Sequence, residues 1–246
     1  MAESLSIKIF ADGADLPSIL KLSRDPLIKG VTTNPTLMRK AGVEDYEAFA
    51  RTLLGEVTDM PVSLEVLADD FDEMERQALE IASWGANVNV KIPITNTRGE
   101  SACGLIGRLS RQGVVVNATA ILSLDQVRAV SDALDPETPA IVSVFAGRVA
   151  DTGVDPAPHM AQALEILRER PKAELLWASP RELLNLFHAD AVGCHIITVT
   201  NDILAKLHLV GKDLDEYSRE TVDMFYRDAT AAGYAIDTLK LKRSVA

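Results

Sequence analysis

The sequence predicts a single (α/β)8 TIM barrel with an extra C-terminal helix. Short runs of β-branched or apolar residues alternate with longer amphipathic segments, there are eight such runs, and the alternation continues to the end of the chain. The length of 246 residues is close to the usual size of this fold. An open doubly wound sheet is the second choice, because no GxGxxG sequence follows the first run.

The eight strand-like runs are expected to expose one face to helices and the other to the barrel interior. In order, they are SIKIFA, KGVTTN, PVSLEVLA, VNVKIP, VVVNATA, AIVSVFAG, AELLWAS and CHIITVT. The fourth run places Val88 and Val90 on one face and Asn89 and Lys91 on the other. A charged amine on such a strand therefore needs an explanation.

Helices are expected between the strands and after the last one. The amphipathic segments lie at roughly 15–24, 44–54, 70–83, 99–111, 123–133, 156–169, 181–188 and 202–209, with a final one at about 212–232. No linker rich in Pro, Gly or Ser interrupts the alternation, so we expect one domain over residues 1–246.

Composition excludes several classes of protein. Acidic residues outnumber basic ones by 36 to 25, and no basic run with interleaved aromatics occurs, which argues against nucleic-acid partners. No signal peptide or membrane span is evident, so we expect a cytoplasmic protein without membrane partners. The two cysteines lack a CxxC spacing and the four histidines lack HxH or HExxH spacing, so we expect neither a redox pair nor a metal site.

Polar residues concentrate near the ends of the predicted strands. In a TIM barrel the C-terminal ends of the strands form the catalytic mouth, so these side chains are expected to converge on one rim. They are Asp12, Thr32, Asn34, Glu65, Asn89, Lys91, Asn117, Thr119 and Ser143. Asn34, which precedes Pro35, also has the form of a helix N-cap.

Lys91 has two interpretations. It could satisfy a polar interior by pairing with a carboxylate such as Glu65 or Asp12. Alternatively, it could be a nucleophile, because burial favours the neutral form of an amine and a neutral amine attacks a ketone to give an imine. The two carboxylates share this ambiguity, as ion-pair partners or as general acids and bases. The position of Lys91 near a strand end and the polar residues expected around it favour the nucleophile.

The segment SPRE after the seventh run is a candidate phosphate site. Ser179 and Glu182 have the spacing of a capping box, with Pro180 at the first helical position. A helix N-terminus after a late barrel strand is also where such folds bind phosphate. Arg181 adds a fork of donors, and Arg148, after the sixth run, is placed to close the other side.

Five segments resemble the transaldolase family. GVTTNPTL, VNVKIP, VVVNATAIL, VSVFAGRVAD and LLWASPRE match in order and at similar intervals across nearly the whole chain. In that family the imine-forming lysine lies on the fourth strand of an (α/β)8 barrel, and Lys91 lies on the fourth predicted strand. The resemblance implies Schiff-base transfer of a dihydroxyacetone unit between sugar phosphates, without a metal or an organic cofactor.

The resemblance also implies roles for individual residues. Lys91 would attack the C2 ketone of fructose 6-phosphate or sedoheptulose 7-phosphate, and Asp12 would take the C4 hydroxyl proton. Glu65 and Thr119 would position a water. The substrate-binding residues would be Thr33, Asn34, Asn117, Ser143, Phe145, Arg148, Ser179 and Arg181.

Two positions separate transaldolases from the similar fructose-6-phosphate aldolases, which carry Gln and Tyr where this chain has Glu65 and Phe145. The resemblance therefore favours transfer over free aldol cleavage. The chain departs from the common family pattern at Gly13, at Pro180 and at His195, a position in the eighth run that is often acidic in relatives. These departures bear on substrate size and rate.

Other interpretations stay open at this point. A fructose-6-phosphate aldolase would release free dihydroxyacetone, and a sugar-phosphate sensor would bind without turnover. The donor and acceptor sugars could belong to the pentose phosphate pathway or to a specialised route. The final helix and the tail TLKLKRSVA are candidates for packing on a neighbouring copy in a homo-oligomer.

Overall fold

The structure is a computed structural model that describes residues 5–238. This part of the chain divides into two compact units, residues 5–207 and 208–238. The first unit is a closed barrel in which all eight strands are parallel and pair in sequence order, so that the first strand also pairs with the eighth. The predicted barrel is thus confirmed, whereas one domain over 1–246 stays a prediction.

All eight predicted strands are present. They are β1 (Lys8–Asp12), β2 (Ile28–Thr32), β3 (Val62–Glu65), β4 (Val88–Pro93), β5 (Val116–Ile121), β6 (Ala140–Val144), β7 (Ala173–Trp177) and β8 (Ile196–Thr200). Their outward faces pack on the helices, as Val88, Val90 and Ile92 of β4 show by belonging to the main hydrophobic core. Asn89 and Lys91 alternate with them and point into the barrel.

The helices of the described part mostly match the amphipathic segments. They are α1 (Leu16–Leu22), α2 (Pro35–Lys40), α3 (Tyr46–Glu56), α4 (Phe71–Ser83), α5 (Cys103–Arg111), α6 (Leu124–Ala133), α7 (Ala146–Asp151), α8 (Pro156–Ile166), α9 (Leu184–Val192), α10 (Asn201–Leu204) and α11 (Leu214–Ala231). The predicted segments do not include α2 or α7, because six residues are too few to show a helical period. The N-cap form of Asn34 nevertheless indicated the start of α2, and the structure confirms this cap. None of the helices within residues 5–238 is both long and apolar enough to cross a membrane.

The lower part of the barrel interior is apolar. Phe10 of β1 packs there with Ile141, Leu176 and Ile196, which forms a small core separate from the one beneath the helices. Gly30 of β2 makes room for the Phe10 ring, since a Cβ atom at residue 30 would lie 2.6 Å from the ring's Cζ. This plug closes the barrel beneath the polar residues of the mouth.

The second unit contains α11, whose N-cap Asp213 accepts a hydrogen bond from the backbone N–H of Glu216. None of the residues of α11 is buried. Large apolar side chains on it are exposed, including Val222, Phe225 and Tyr226. Most of the tail TLKLKRSVA, from residue 239 onward, lies outside the described residues.

Candidate active site

A cavity of about 730 Å³ opens at the C-terminal ends of the strands. Every residue to which a catalytic or binding role was assigned from the sequence lines it, except Thr33. These lining residues are Asp12, Asn34, Glu65, Lys91, Asn117, Thr119, Ser143, Phe145, Arg148, Ser179 and Arg181. The alternation of side chains and the parallel order of the strands together produce this convergence.

Lys91 lies deep in the cavity, where its side chain is only 9% exposed. Its Nζ atom is 3.1 Å from Oε2 of Glu65, the register neighbour on β3, and donates a hydrogen bond to the carbonyl oxygen of Thr33 at 2.7 Å. The amine is therefore held in one position beside a carboxylate that can exchange a proton with it. The pair of Lys91 and Glu65 fits both interpretations of Lys91, as an ion-pair lysine and as a nucleophile beside a base.

Thr33 does not bring its side chain to the cavity. Its hydroxyl donates to the carbonyl of Ser63 and is fully buried, so the residue contributes only its backbone carbonyl to the site. Asn89, expected on the rim, instead lies near the start of β4 and lines a separate cavity at the opposite end of the barrel. Asn89 precedes Lys91 by two residues on the same face of β4, so its side chain lies nearer the N-terminal end of the barrel and not on the rim.

Asp12 ends β1 and accepts a hydrogen bond from the Thr32 hydroxyl at 2.8 Å. Burial raises the pKa of its carboxyl, and the nearby charge of Lys91 and the Thr32 bond oppose this rise without cancelling it. The Thr32 hydroxyl also bonds that of Thr198 on β8. A carboxyl with a raised pKa in a cavity is suited to taking and returning a proton.

A chain of hydrogen bonds crosses the barrel floor from β3 to β6. Asn117 donates through Nδ2 to Oγ of Ser63 at 3.1 Å and accepts at Oδ1 from the Ser143 hydroxyl at 2.7 Å. All three residues are buried. The remaining N–H of the Asn117 amide is thereby given a fixed direction, which suits binding of a substrate hydroxyl.

Thr119 is presented to the cavity by an irregularity in β5. The register with β6 shifts between Ala118 and Ile121, and Ala120 has φ of 59°. An alanine in the left-handed region costs free energy and is retained only where its surroundings impose it. The irregularity therefore lies next to Thr119, which lines the same cavity as Lys91 and Glu65.

The predicted capping box at 179–182 is wrong. The helix α9 begins later, at Leu184, and its N-cap carries no side-chain hydrogen bond. Instead, Asn185 accepts at Oδ1 from the backbone N–H groups of Arg181 and Glu182. Ser179 has φ of 62°, a conformation that a capping box does not use and that the sequence does not reveal.

The loop that holds Ser179 and Arg181 is packed directly on the start of α7. A Cβ atom at Gly147 would lie 1.6 Å from the carbonyl oxygen of Ser179, and the Gly147 N–H donates to the carbonyl of Ala178. Only glycine permits this contact. It brings Arg148 and Arg181 to the same side of the cavity, where both side chains can face one anion.

Gly147→Ala is expected to destabilise the fold by about 2 kcal/mol or more, because the added methyl group must displace backbone atoms. Thermal denaturation should show a clear fall in Tm. The matched control is Gly104→Ala in α5, where the new Cβ atom would meet nothing nearer than Arg108 at 3.9 Å. That substitution should preserve or raise Tm, and an equal fall in both variants would contradict the packing argument.

Some lining residues were not singled out from the sequence. Thr198, Thr200 and Asp202 enter the cavity from β8 and the start of α10, and Lys40 enters from α2. The alternation in CHIITVT indicated that Thr198 and Thr200 share a face, but it did not show which face was inside. His195 lies just before β8, where its Nδ1 atom accepts from the Leu175 N–H, so this departure is remote from the mouth.

Comparison with known families decides the relationship. The family model for transaldolase and fructose-6-phosphate aldolase matches residues 9–240. The chain belongs to this family. It is 36% identical to a probable transaldolase of Dehalococcoides mccartyi, with 82% of this chain and 90% of that protein covered. It is 32% identical to a probable transaldolase 2 of Listeria monocytogenes, with 82% and 88% covered.

The barrel is also similar to a solved structure outside this family. A crystal structure of 2,3-dimethylmalate lyase, a member of the PEP mutase and isocitrate lyase superfamily, has a TM-score of 0.57. The match covers 92% of this chain and 85% of the lyase, at 16% sequence identity. This likeness shows the shared fold, whereas the transaldolase and fructose-6-phosphate aldolase relatives show the family of enzymes.

Proposed function

We propose that the chain is a cytoplasmic transaldolase that moves a dihydroxyacetone unit from a ketose phosphate to an aldose phosphate through an imine on Lys91. The observation that supports this most directly is the amine of Lys91 held 3.1 Å from Glu65 in a cavity that also contains Asp12. An amine, a carboxylate beside it and a second carboxyl with a raised pKa are the groups that this chemistry requires.

The first half of the reaction forms the imine and breaks the carbon chain. Lys91, after giving a proton to Glu65, attacks C2 of the ketose, and the resulting carbinolamine loses water with Glu65 returning the proton. Asp12 then takes the proton of the C4 hydroxyl. The C3–C4 bond breaks, its electron pair passes to the protonated imine to give an enamine, and the aldose phosphate leaves.

The second half reverses these steps with a different aldose. The enamine carbon attacks the aldehyde of the acceptor, and Asp12 returns its proton to the new hydroxyl. Water then adds to the imine and releases the product from Lys91. Thr119, which lines the same cavity as Lys91 and Glu65, would hold this water.

Amide and hydroxyl groups above the barrel floor would bind the hydroxyls of the three-carbon unit. Asn34 caps α2 by accepting from the Leu37 N–H at Oδ1, which leaves its Nδ2 group to donate. Asn117 and Ser143 form the buried chain described above. The substrate phosphate would lie between Arg148, Arg181 and Ser179, at the opposite edge of the cavity.

Transfer, rather than release of dihydroxyacetone, is favoured by two residues. Glu65 lies beside Lys91, and Phe145 lines the mouth with the Arg148 guanidinium 5.5 Å from its ring centre. The fructose-6-phosphate aldolases that the chain resembles carry Gln and Tyr at these two positions. A phenyl ring has no hydroxyl to position a water, which disfavours hydrolysis before the acceptor arrives.

The test is to incubate the protein with fructose 6-phosphate and erythrose 4-phosphate, two sugars of the pentose phosphate pathway, and to quantify products by mass spectrometry. The proposal predicts sedoheptulose 7-phosphate and glyceraldehyde 3-phosphate in equal amounts. Without the acceptor, little free dihydroxyacetone should accumulate. Release of dihydroxyacetone at the same rate with and without erythrose 4-phosphate would instead identify an aldolase.

We further propose that α11 joins copies of the chain into a homo-oligomer. Val222 is 64% exposed, Phe225 62% and Tyr226 72%, and a group of exposed apolar side chains of this size is typical of an interaction surface. Phe225→Glu should reduce the mass measured by light scattering in solution. The control Arg219→Glu changes charge on the same helix without removing apolar area, and a monomeric wild type would contradict the proposal.

A further inference from the structure

The guanidinium of Arg181 is paired with the carboxylate of Asp151, the last residue of α7. Arg181 donates from Nε to Oδ1 at 3.0 Å and from Nη2 to Oδ2, which gives two parallel hydrogen bonds. Such forked pairing fixes the plane of a guanidinium as well as its position. The pair joins two segments that are 30 residues apart in the sequence.

We propose that Asp151 is a positioning residue that aims Arg181 at the substrate phosphate. The inference rests on the proposed function, in which Arg181 binds that phosphate. Asp151 itself does not line the cavity, whereas Arg181 and Arg148 do. Its effect on the substrate therefore passes through Arg181.

The pairing with Asp151 leaves the Nη1 end of the Arg181 guanidinium available to bind a phosphate. Asp151 occupies the edge formed by Nε and Nη2, and the N–H groups at the Nη1 end remain for another acceptor. A phosphate can accept two hydrogen bonds at that end while the carboxylate holds the opposite edge. Asp151 and the phosphate therefore do not compete for the same donors.

The backbone of Arg181 is already held in place. Asn185 accepts from its N–H at 2.8 Å, and the loop packs against Gly147 at the start of α7. The freedom that remains is in the long side chain, which is 47% exposed and would otherwise sample many rotamers. Asp151 removes this freedom before the substrate arrives, which lowers the cost of binding.

Charge supports the same conclusion. Two cations, Arg148 and Arg181, line one side of the cavity, and the carboxylate of Asp151 offsets their mutual repulsion. The hydrogen bonds from Arg181 lower the pKa of Asp151, and the charges of Arg181 and Arg148 add to this effect. Because exposed ion pairs contribute little to stability, the pair is better explained by positioning than by folding.

The test compares Asp151→Asn with wild type in steady-state kinetics. The amide removes the charge and places an N–H group where one of the two carboxylate oxygens accepted from Arg181, so we expect KM for fructose 6-phosphate to rise about tenfold with kcat changed less than about twofold. Activity on unphosphorylated fructose should not change. Asp151→Glu, which restores the charge, should recover part of the loss in KM.

The control is Asp125→Asn, which removes the charge of an exposed aspartate that pairs with Arg128 on α6. It should leave both constants unchanged. An equal loss on phosphorylated and unphosphorylated ketoses in Asp151→Asn, or a lower KM, would overturn the inference.

A second measurement separates this inference from the proposed function. Inorganic phosphate is titrated into 15N-labelled protein, and the NMR signal of the Arg181 Nε–H group is followed. Weaker phosphate binding by Asp151→Asn would support the positioning role even if no sugar phosphate were turned over. Equal or tighter binding by the variant would overturn it, whatever the enzyme's activity.

Discussion

Lys91→Met is expected to reduce transaldol transfer by at least about 1,000-fold, because it removes the buried amine that forms the imine. Lys40, the other lysine that lines the cavity, is an exposed residue at the end of α2. Methionine has a similar length and keeps the space filled. The loss should appear in kcat and not only in KM, since the covalent intermediate lies on the path to every product. Initial rates with saturating fructose 6-phosphate and erythrose 4-phosphate measure this effect.

The control is Lys29→Met on β2, an exposed lysine that lies outside the mouth cavity. It should retain wild-type rates. The Lys91 variant leaves Glu65 without its ion-pair partner at 3.1 Å, so Tm must be compared to exclude unfolding. A folded Lys91→Met protein with more than a few per cent of wild-type activity would return Lys91 to the role of an ion-pair lysine.

Asp12→Asn is expected to lower kcat by about 100- to 10,000-fold, the range usual for loss of a general acid and base. The amide oxygen can still accept from Thr32, so the position of the side chain should be kept. What is lost is the ability to take the C4 proton. Imine formation on Lys91 should survive, because it precedes the step that Asp12 serves.

Asp12→Asn should also raise the free energy of unfolding, and the increase should be larger at high pH than at low pH. Burial raises the pKa of Asp12 in the folded protein, so its protonated form is favoured on folding and its contribution is lost as pH rises through the folded pKa. Above the folded pKa the carboxyl is ionised, and its burial then makes the fold less stable than it is with the protonated form. Asp12→Asn should increase Tm at pH 8 by more than at pH 4, and the opposite order would contradict the burial argument.

The barrel could be predicted because its signals are local and repeated. In β4, the alternation of Val88 and Val90 with Asn89 and Lys91 determines which side chains face inward, and closure then brings inward residues of different strands together. Lys91 and Glu65 meet because they are register neighbours on β4 and β3. The central part of the site therefore follows from the pattern of strands.

The phosphate side of the cavity could not be predicted in the same way. Ser179 and Glu182 have the spacing of a capping box, yet Ser179 adopts a positive φ and the helix begins at Leu184. The conformation of this loop is set by a tertiary contact, because the loop packs closely on Gly147. No local sequence pattern indicates that contact. Thr33 likewise contributes its carbonyl and not its hydroxyl to the site, because its hydroxyl is bonded to the carbonyl of Ser63 on β3.

Trapping the imine tests the proposed role of Lys91 most directly. The protein is mixed with fructose 6-phosphate, reduced with borohydride, digested and mapped by mass spectrometry, with Lys91→Met treated in parallel. We expect a three-carbon adduct on Lys91 in wild type and none in the variant, because cleavage of C3–C4 leaves dihydroxyacetone on the amine. An adduct on another lysine, or none with either fructose 6-phosphate or sedoheptulose 7-phosphate, would contradict it.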